Sequence, residues 1–292
     1  MFILLLLLLL LVFYLWVPRS VPGIRHASGY TNRLLGHLPL VWHQTCHLNE
    51  QCLADAVTDP ITPYQHVLPT MRPMVTIPPS PAIARWILST NFQGYGKDPR
   101  IQACYGELFG QGIFAQDGAQ WRRQRKIAAR VFTSRYIDQE MLPVFRVHAT
   151  RLCQSLQSGL VYDMQQEFRD LTMSTTMAIS FGDNDVDTGV GTAFDHVNSA
   201  MFTRVLFPLW WMFPYSAREN RIRRSIRTID LFCADHIRRL RGLYSSTERP
   251  VTTNLVFQWL RHGGENGKDS EIRDVIVNFL VAGRDTTATA LT

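Results

Sequence analysis

The stretch Asp269–Thr292, DSEIRDVIVNFLVAGRDTTATALT, decides how the rest of the chain is read. Ile272, Val275, Ile276, Phe279, Leu280, Ala290 and Leu291 fall at helical spacing. Val277, Val281 and Ala282 fill the other side, so the helix reads as buried nearly all round, with Asp269 or Ser270 as its N-cap. Gly283-Arg284-Asp285-Thr286-Thr287 then interrupts the apolar pattern. A mid-helix Gly costs about 1 kcal/mol relative to Ala, and an unpaired buried carboxylate costs far more. Two accounts are open. In one, Gly283 ends the helix and the polar run is a surface turn. In the other, Ala288–Leu291 resume the helix beyond a bulge at Ala282–Gly283, where a carboxylate and a hydroxyl can hold a small ligand and feed it protons.

The chain has 292 residues, 46% of them hydrophobic, enough to bury one large core and too apolar for a disordered protein. Its five cysteines (Cys46, Cys52, Cys104, Cys153 and Cys233) are odd in number and widely spread. They show neither a disulfide framework nor a metal-ligand spacing, which suits a reducing compartment. The net charge of +6 identifies no partner by itself.

Met1–Val17 is an apolar, Leu-rich run with no charged side chain before Arg19. It reaches the lower limit of the roughly 17–25 residues that span a bilayer. A basic leader region and a small-residue cleavage site are both missing, so a retained anchor reads better than a cleaved signal. Arg19 and Arg25 place the bulk of the chain in the cytosol by the positive-inside rule, and Pro18, Pro22 and Gly23 form a stiff hinge over residues 18–35.

Further along, residues 42–57 read as a helix, Met74–Ile77 as an edge strand, and Ser80-Pro81 as a helix start. Tyr95–Gly112, with its many Gly and polar residues, reads as a long loop. Asp117-Gly-Ala-Gln120 opens a helix on which Trp121 and Arg125, four apart, share a face. On chemistry alone this is a solvated basic helix whose Trp121 is core. Asp163–Gly182 is another helix, and Phe202–Tyr215 (FTRVLFPLWWMFPY) an aromatic loop with exposed apolar surface. Arg218–Arg241 carries eight Arg against Glu219, Asp230 and Asp235, with Ile222, Ile226 and Ile229 as an apolar stripe. A solvated face near an anionic leaflet explains that charge better than nucleic acid, for which there is no recognition fold. Leu255–Leu260 is a short apolar piece, and GGENGK (263–268) a flexible linker into the last helix.

A-G-R-D-T-T (Ala282–Thr287) after an apolar helical run resembles the long central helix of the cytochrome P-450 family, the haem-thiolate monooxygenases. W-x-x-x-R (Trp121–Arg125), just after G-I-F-x-x-D-G (Gly112–Gly118), resembles the family's second recognisable element. The two signatures stand in the right order behind an apolar N-terminus. The resemblance implies a mainly α fold: the N-terminal portion of the family's domain, helices A to I with a small β-sheet, over residues 36–292. It implies that Gly283 and Ala282 leave room over the haem for dioxygen, that Asp285 and Thr286 relay protons, and that Trp121 and Arg125 hold a haem propionate. The haem is haem b. No protein metal ligand is assigned.

The resemblance further implies that the basic side chains Arg122, Arg123, Lys126 and Arg130 dock an electron donor, an NADPH-dependent flavoprotein reductase. The aromatic run of 202–215 would link two helices that roof a lipophilic-substrate pocket and dip into membrane lipid. The expected location is the endoplasmic reticulum membrane. N-F-x-x-Y (Asn91–Tyr95), G-I-F-x-x-D-G-x-x-W-R-x-Q-R-K-x-A (Gly112–Ala128) and A-G-R-D-T-T are most like the enzymes that hydroxylate fatty acids and alkanes. The family's E-x-x-R helix and its Cys-bearing loop, F-x-x-G-x-R-x-C-x-G, have no counterpart here, so the expectation is a fragment stopping inside the central helix and lacking the thiolate ligand. A non-catalytic, membrane-anchored helical protein derived from such an enzyme is the alternative.

Overall fold

The structure is a computed structural model and describes residues 20–27, 36–37, 54–55, 57–58, 62–67, 74–77, 80–182, 188–206, 208–245, 254–263 and 268–292. The chain divides into two compact units, Met1–Gly96 with Leu206–Pro208, and Lys97–Val205 with Leu209–Thr292. The expected anchor at 1–17, most of the helix at 42–57 and most of the GGENGK linker lie outside the described residues. Among those described, no helix is long and apolar enough to cross a membrane.

The first unit carries a three-stranded sheet of β1 (Arg25–His26), β2 (Tyr64–His66) and β3 (Met74–Thr76), in that order. β1 runs parallel to β2, and β3 antiparallel to it, with Gln65 opposite Val75. β3 is the expected edge strand, and its Met74 and Val75 are exposed. The central Gln65 side chain accepts from Val21 N at 2.7 Å and donates to Ile24 O at 2.6 Å, which satisfies the turn before β1. Pro81 opens α1 (Pro81–Arg85), which widens into a π turn over Trp86–Thr90.

In the second unit, α2 (Pro99–Phe109) replaces the long loop expected over 95–112. The Asp98 carboxylate caps it by accepting from Arg100 N at 2.8 Å, Pro99 takes the first turn, and Cys104 and Leu108 are its buried face. Tyr105 and Phe109 pack beside them on the core, and Ile101, Cys104, Tyr105, Leu108 and Phe109 fall at helical spacing, a signal that the surrounding Gly and polar residues outweighed in the sequence reading. α3 (Gly118–Val131) begins at Asp117, as expected. The Asp117 carboxylate, however, does not cap α3; it accepts from Lys97 N at 2.7 Å.

A short turn at Ser134–Met141 leads into α4 (Leu142–Ser155), followed by α5 (Met164–Phe181). α5 is capped by Asp163, which accepts from Gln166 N at 3.2 Å, and is stopped by Gly182 at φ 74°. α6 (Thr188–Leu206) extends into the expected aromatic loop, which shortens to a 3₁₀ turn at Pro208–Met212 before α7 (Ala217–Ser245). Arg204 explains the turn's asymmetry. Its guanidinium is wholly buried against Glu219 and Glu107 and lies 4.1 Å from the centre of the Trp210 ring. Trp211, Met212, Phe213 and Tyr215 stay exposed.

α8 (Leu255–Gly263) and α9 (Asp269–Leu291) complete the unit. α9 lies chiefly along α5 and touches α2, α7 and α8. Ile276, Val277 and Leu280 of α9 join Met177, Val197, Ile222 and Ile229 in one buried cluster. Each such side chain contributes roughly 1.5–3 kcal/mol through burial. The N-cap is Lys268 rather than Asp269 or Ser270, and no side chain caps it. Asp269 and Glu271 instead sit in the first turn, where they oppose the helix dipole's positive end.

Candidate functional site on the central helix

α9 is one unbroken α-helix through Gly283-Arg284-Asp285-Thr286-Thr287, so neither a helix end nor a bulge at Ala282–Gly283 is present. Three contacts account for the polar residues. Gly283 faces α5 so closely that a β-carbon there would lie 2.5 Å from Thr176 Oγ1. The Arg284 guanidinium is buried and donates from Nη1 and Nη2 to the two Asp195 oxygens of α6, at 2.6 and 2.8 Å. Thr286 Oγ1 donates to Ala282 O at 2.6 Å, a back-bond that keeps the hydroxyl on the helix surface.

Asp285 stands between these groups. Its carboxylate accepts from Arg284 Nη1 at 3.0 Å and from Asn198 Nδ2 at 3.2 Å. Burial pushes the carboxyl above its ordinary value, the Asp195 charge pushes the same way, and Arg284 and Arg169 oppose them. The result is a half-buried acid with raised proton affinity, next in sequence to a hydroxyl whose lone pairs remain able to accept. Such an acid–alcohol pair can take up a proton and pass it on.

Trp121 is half-buried and Arg125 exposed on α3. α3 meets α9 where Ile127 and Ala128 pack with Val275, and where Phe132, just past the helix, faces the Phe279 ring at 5.9 Å. The structure thus puts the two signatures on helices in contact, while the bonds of Asp285 and Thr286 go to Arg284, Asn198 and Ala282 and not to the α3 pair. An apolar groove of about 440 Å³ runs between α4, α5 and α9, with Ala282 and Gly283 on its wall. Asp285 and Thr286 are not part of that wall.

Sequence reasoning missed Asp195 and Asn198, which only folding brings to α9. It also passed over Asp274 and Asn278, both buried. Their four-residue spacing inside an apolar helix was a visible signal. Asp274 Oδ2 accepts from Gln111 N at 2.7 Å, and Asn278 Oδ1 accepts from Phe114 N at 3.0 Å.

The donor set fits two parts of a haem site. Arg125 is exposed, and its planar fork together with an indole N–H suits a carboxylate. Ala282 and Thr286, one turn apart and with little bulk, suit a small ligand. The thiolate ligand is another matter. Burial pushes the Cys104 thiol up and the Cys233 thiol up to about 12, the opposite of what a thiolate ligand needs.

The family model described as Cytochrome P450 matches residues 38–292. "Cytochrome P450 94C1" of Arabidopsis thaliana is 33% identical over 241 residues, covering 73% of this chain and 46% of that protein. "Cytochrome P450 704C1" of Pinus taeda is 30% identical over 271 residues, covering 84% and 52%. The chain therefore spans about half the length of the curated relatives it matches. Among solved structures, "Retinoic acid bound cyanobacterial CYP120A1" superposes with a TM-score of 0.64 at 14% identity, covering 94% of this chain and 58% of that one, a likeness of fold. With the family match spanning most of its length and the fold agreeing, the chain belongs to the cytochrome P450 family.

Proposed function

We propose that this chain supplies the distal half of a haem-dependent monooxygenase that hydroxylates fatty acids or related aliphatic chains. It uses dioxygen and electrons passed from NADPH by a flavoprotein reductase. The observation that carries the proposal is the polar step on α9, where Asp285, its proton affinity raised by burial, adjoins a Thr286 bonded back to Ala282 O. When bound, haem b supplies the iron that activates dioxygen for insertion of one oxygen atom into a C–H bond.

The protein's share is geometry and protons. Trp121 and Arg125 hold a haem propionate through the indole N–H and the guanidinium. Ala282 and Gly283 keep bulk away from the oxygen side. Asp285 takes a proton from solvent by way of its half-exposed edge beside Asn198, and the Thr286 hydroxyl hands it on. The exposed cations Arg122, Arg123, Lys126 and Arg130 offer the reductase an acidic-partner docking face. The aliphatic substrate class rests on the likeness of Asn91–Tyr95, Gly112–Ala128 and Ala282–Thr287 to the fatty-acid and alkane hydroxylases. Residues 36–292 form the monooxygenase part, behind an endoplasmic-reticulum anchor at 1–17 and a hinge at 18–35. The exposed Trp211, Met212, Phe213 and Tyr215 rest against lipid, where a greasy substrate enters. The thiolate ligand comes from outside residues 1–292.

Hemin titration of the full chain tests this reading. Wild type takes up hemin, and Arg125→Ala weakens uptake about tenfold by removing a charge-assisted contact. With imidazole supplied in place of the missing iron ligand, a wild-type chain that folds and takes up none would sink the reading and leave the non-catalytic alternative.

A further inference from the structure

The segment between α2 and α3 is held by side chains of α9. The last carbonyls of α2 point past the end of their helix and need donors. Arg273 Nη1 donates to Leu108 O at 2.6 Å, Arg273 Nη2 to Glu107 O at 3.2 Å, and Asn278 Nδ2 to Phe109 O at 3.1 Å. A cation at this end also suits the helix dipole.

Two backbone N–H groups of the segment go the other way, Gln111 N to Asp274 Oδ2 and Phe114 N to Asn278 Oδ1. Gly110, at φ +54°, and Gly112 bring the backbone so near that a β-carbon would collide with Asp274 and Asn278 respectively. Gln111 also passes the grip on to α3, because its carbonyl accepts from Gln124 Nε2 at 2.6 Å. Gln124 is the residue before Arg125. A chain of hydrogen bonds thus runs from Asp274 through the backbone of Gln111 to Gln124.

We propose that Asp274 and Asn278 are positioning residues: they latch the segment 110–114 to α9 and so set the register of the head of α3, with Trp121 and Arg125, against α9. The functional side of this rests on the reading of Trp121 and Arg125 as haem-propionate contacts. Neither Asp274 nor Asn278 is assigned any contact with haem.

Hydrogen exchange and hemin titration on the full chain test the proposal in wild type, Asp274→Asn and Asn278→Ala. The variants should raise exchange at the Gln111 and Phe114 amides by about tenfold and extend the rise to residues 118–125, while α5 keeps its protection. Their hemin dissociation constants should rise by about fivefold or more, although the altered side chains lie away from the propionate contacts. A rise spread evenly over α5 would mean general destabilisation and would overturn the latch, as would no rise at all. Local loosening with unchanged hemin affinity would also overturn it. If wild type takes up no hemin even with imidazole supplied as the iron's ligand, the haem reading fails, and the latch is decided by whether exchange at 118–125 follows that at Gln111 and Phe114.

Discussion

Arg284 of α9 and Asp195 of α6, 89 residues apart in the chain, form a two-bond ion pair of 2.6 and 2.8 Å, and the same guanidinium holds Asp285 at 3.0 Å. One buried cation therefore serves two carboxylates, and the arginine in A-G-R-D-T-T is a cross-link between helices. The pair's outer end is wet: the Asp195 side chain is 43% exposed against 4% for Arg284. Asp195 can rehydrate when the pair is broken, whereas Arg284 cannot.

Asp195→Ala should accordingly destabilise the protein by about 2 kcal/mol, the scale of hydrogen bonds to a charged group. A lower urea midpoint at constant slope is the expected reading, and an unchanged midpoint would show that the pair adds nothing. Arg284→Lys should act in the same direction, because an ammonium cannot reproduce the two-pronged contact.

The raised proton affinity of Asp285 has a definite sign. The folded state holds a proton that the unfolded chain releases, so this contribution is fully present below the ordinary value of 3.8 and is lost as pH rises through the folded value. Asp285→Asn should remove that decline. The check is the difference between wild-type and variant urea midpoints, which should widen in the variant's favour as pH rises from 3.8. A difference independent of pH would refute the raised value.

Gly283→Ala sets helix propensity against packing. The substitution gains about 1 kcal/mol in propensity, and overpacking against Thr176 costs about 1–3 kcal/mol. The net expectation is a small loss, near 1 kcal/mol. Adding Thr176→Ala leaves only a β-carbon at 3.4 Å and should turn the loss into a gain. A single variant more stable than wild type would show that Thr176 moves aside freely.

Phe279 ties three elements together, edge-on to Phe132 at 5.9 Å and to Trp259 at 5.7 Å. Phe279→Ala should cost about 3 kcal/mol by opening that junction, read from the urea midpoint. A cost under about 1 kcal/mol would mean that α3 and α8 close over the gap.

If the proposed function holds, then in haem-loaded protein supplied with an NADPH-dependent reductase Thr286→Ala should raise the peroxide released per NADPH consumed. Unchanged coupling would count against the proton-relay role.

Much of this was legible in the chain itself. The spacing of Ile272, Val275, Ile276 and Leu280 gave α9, Asp163 and Gly182 bounded α5, and the stripe of Ile222 and Ile229 gave α7. α2 was legible but overlooked: Ile101, Cys104, Tyr105, Leu108 and Phe109 keep helical spacing, while the Gly and polar residues of 95–112 read as a loop. The continuity of α9 was not legible. A Gly followed by charged and hydroxyl groups looks like a break unless the partners that satisfy them are known, and Thr176 and Asp195 lie far off in sequence.

Local sequence determined which segments are helical, where α5 starts and stops, and that an acid–threonine pair sits in an apolar helix, since caps and periodicity act within a few residues. Tertiary structure alone decided what that interruption is for. Arg284 finds Asp195, Gly283 makes room for Thr176, and Asp274 and Asn278 take the backbone of 109–114. Each is a contact between residues distant in the chain, and a buried polar group is tolerable only once folding has delivered its partner.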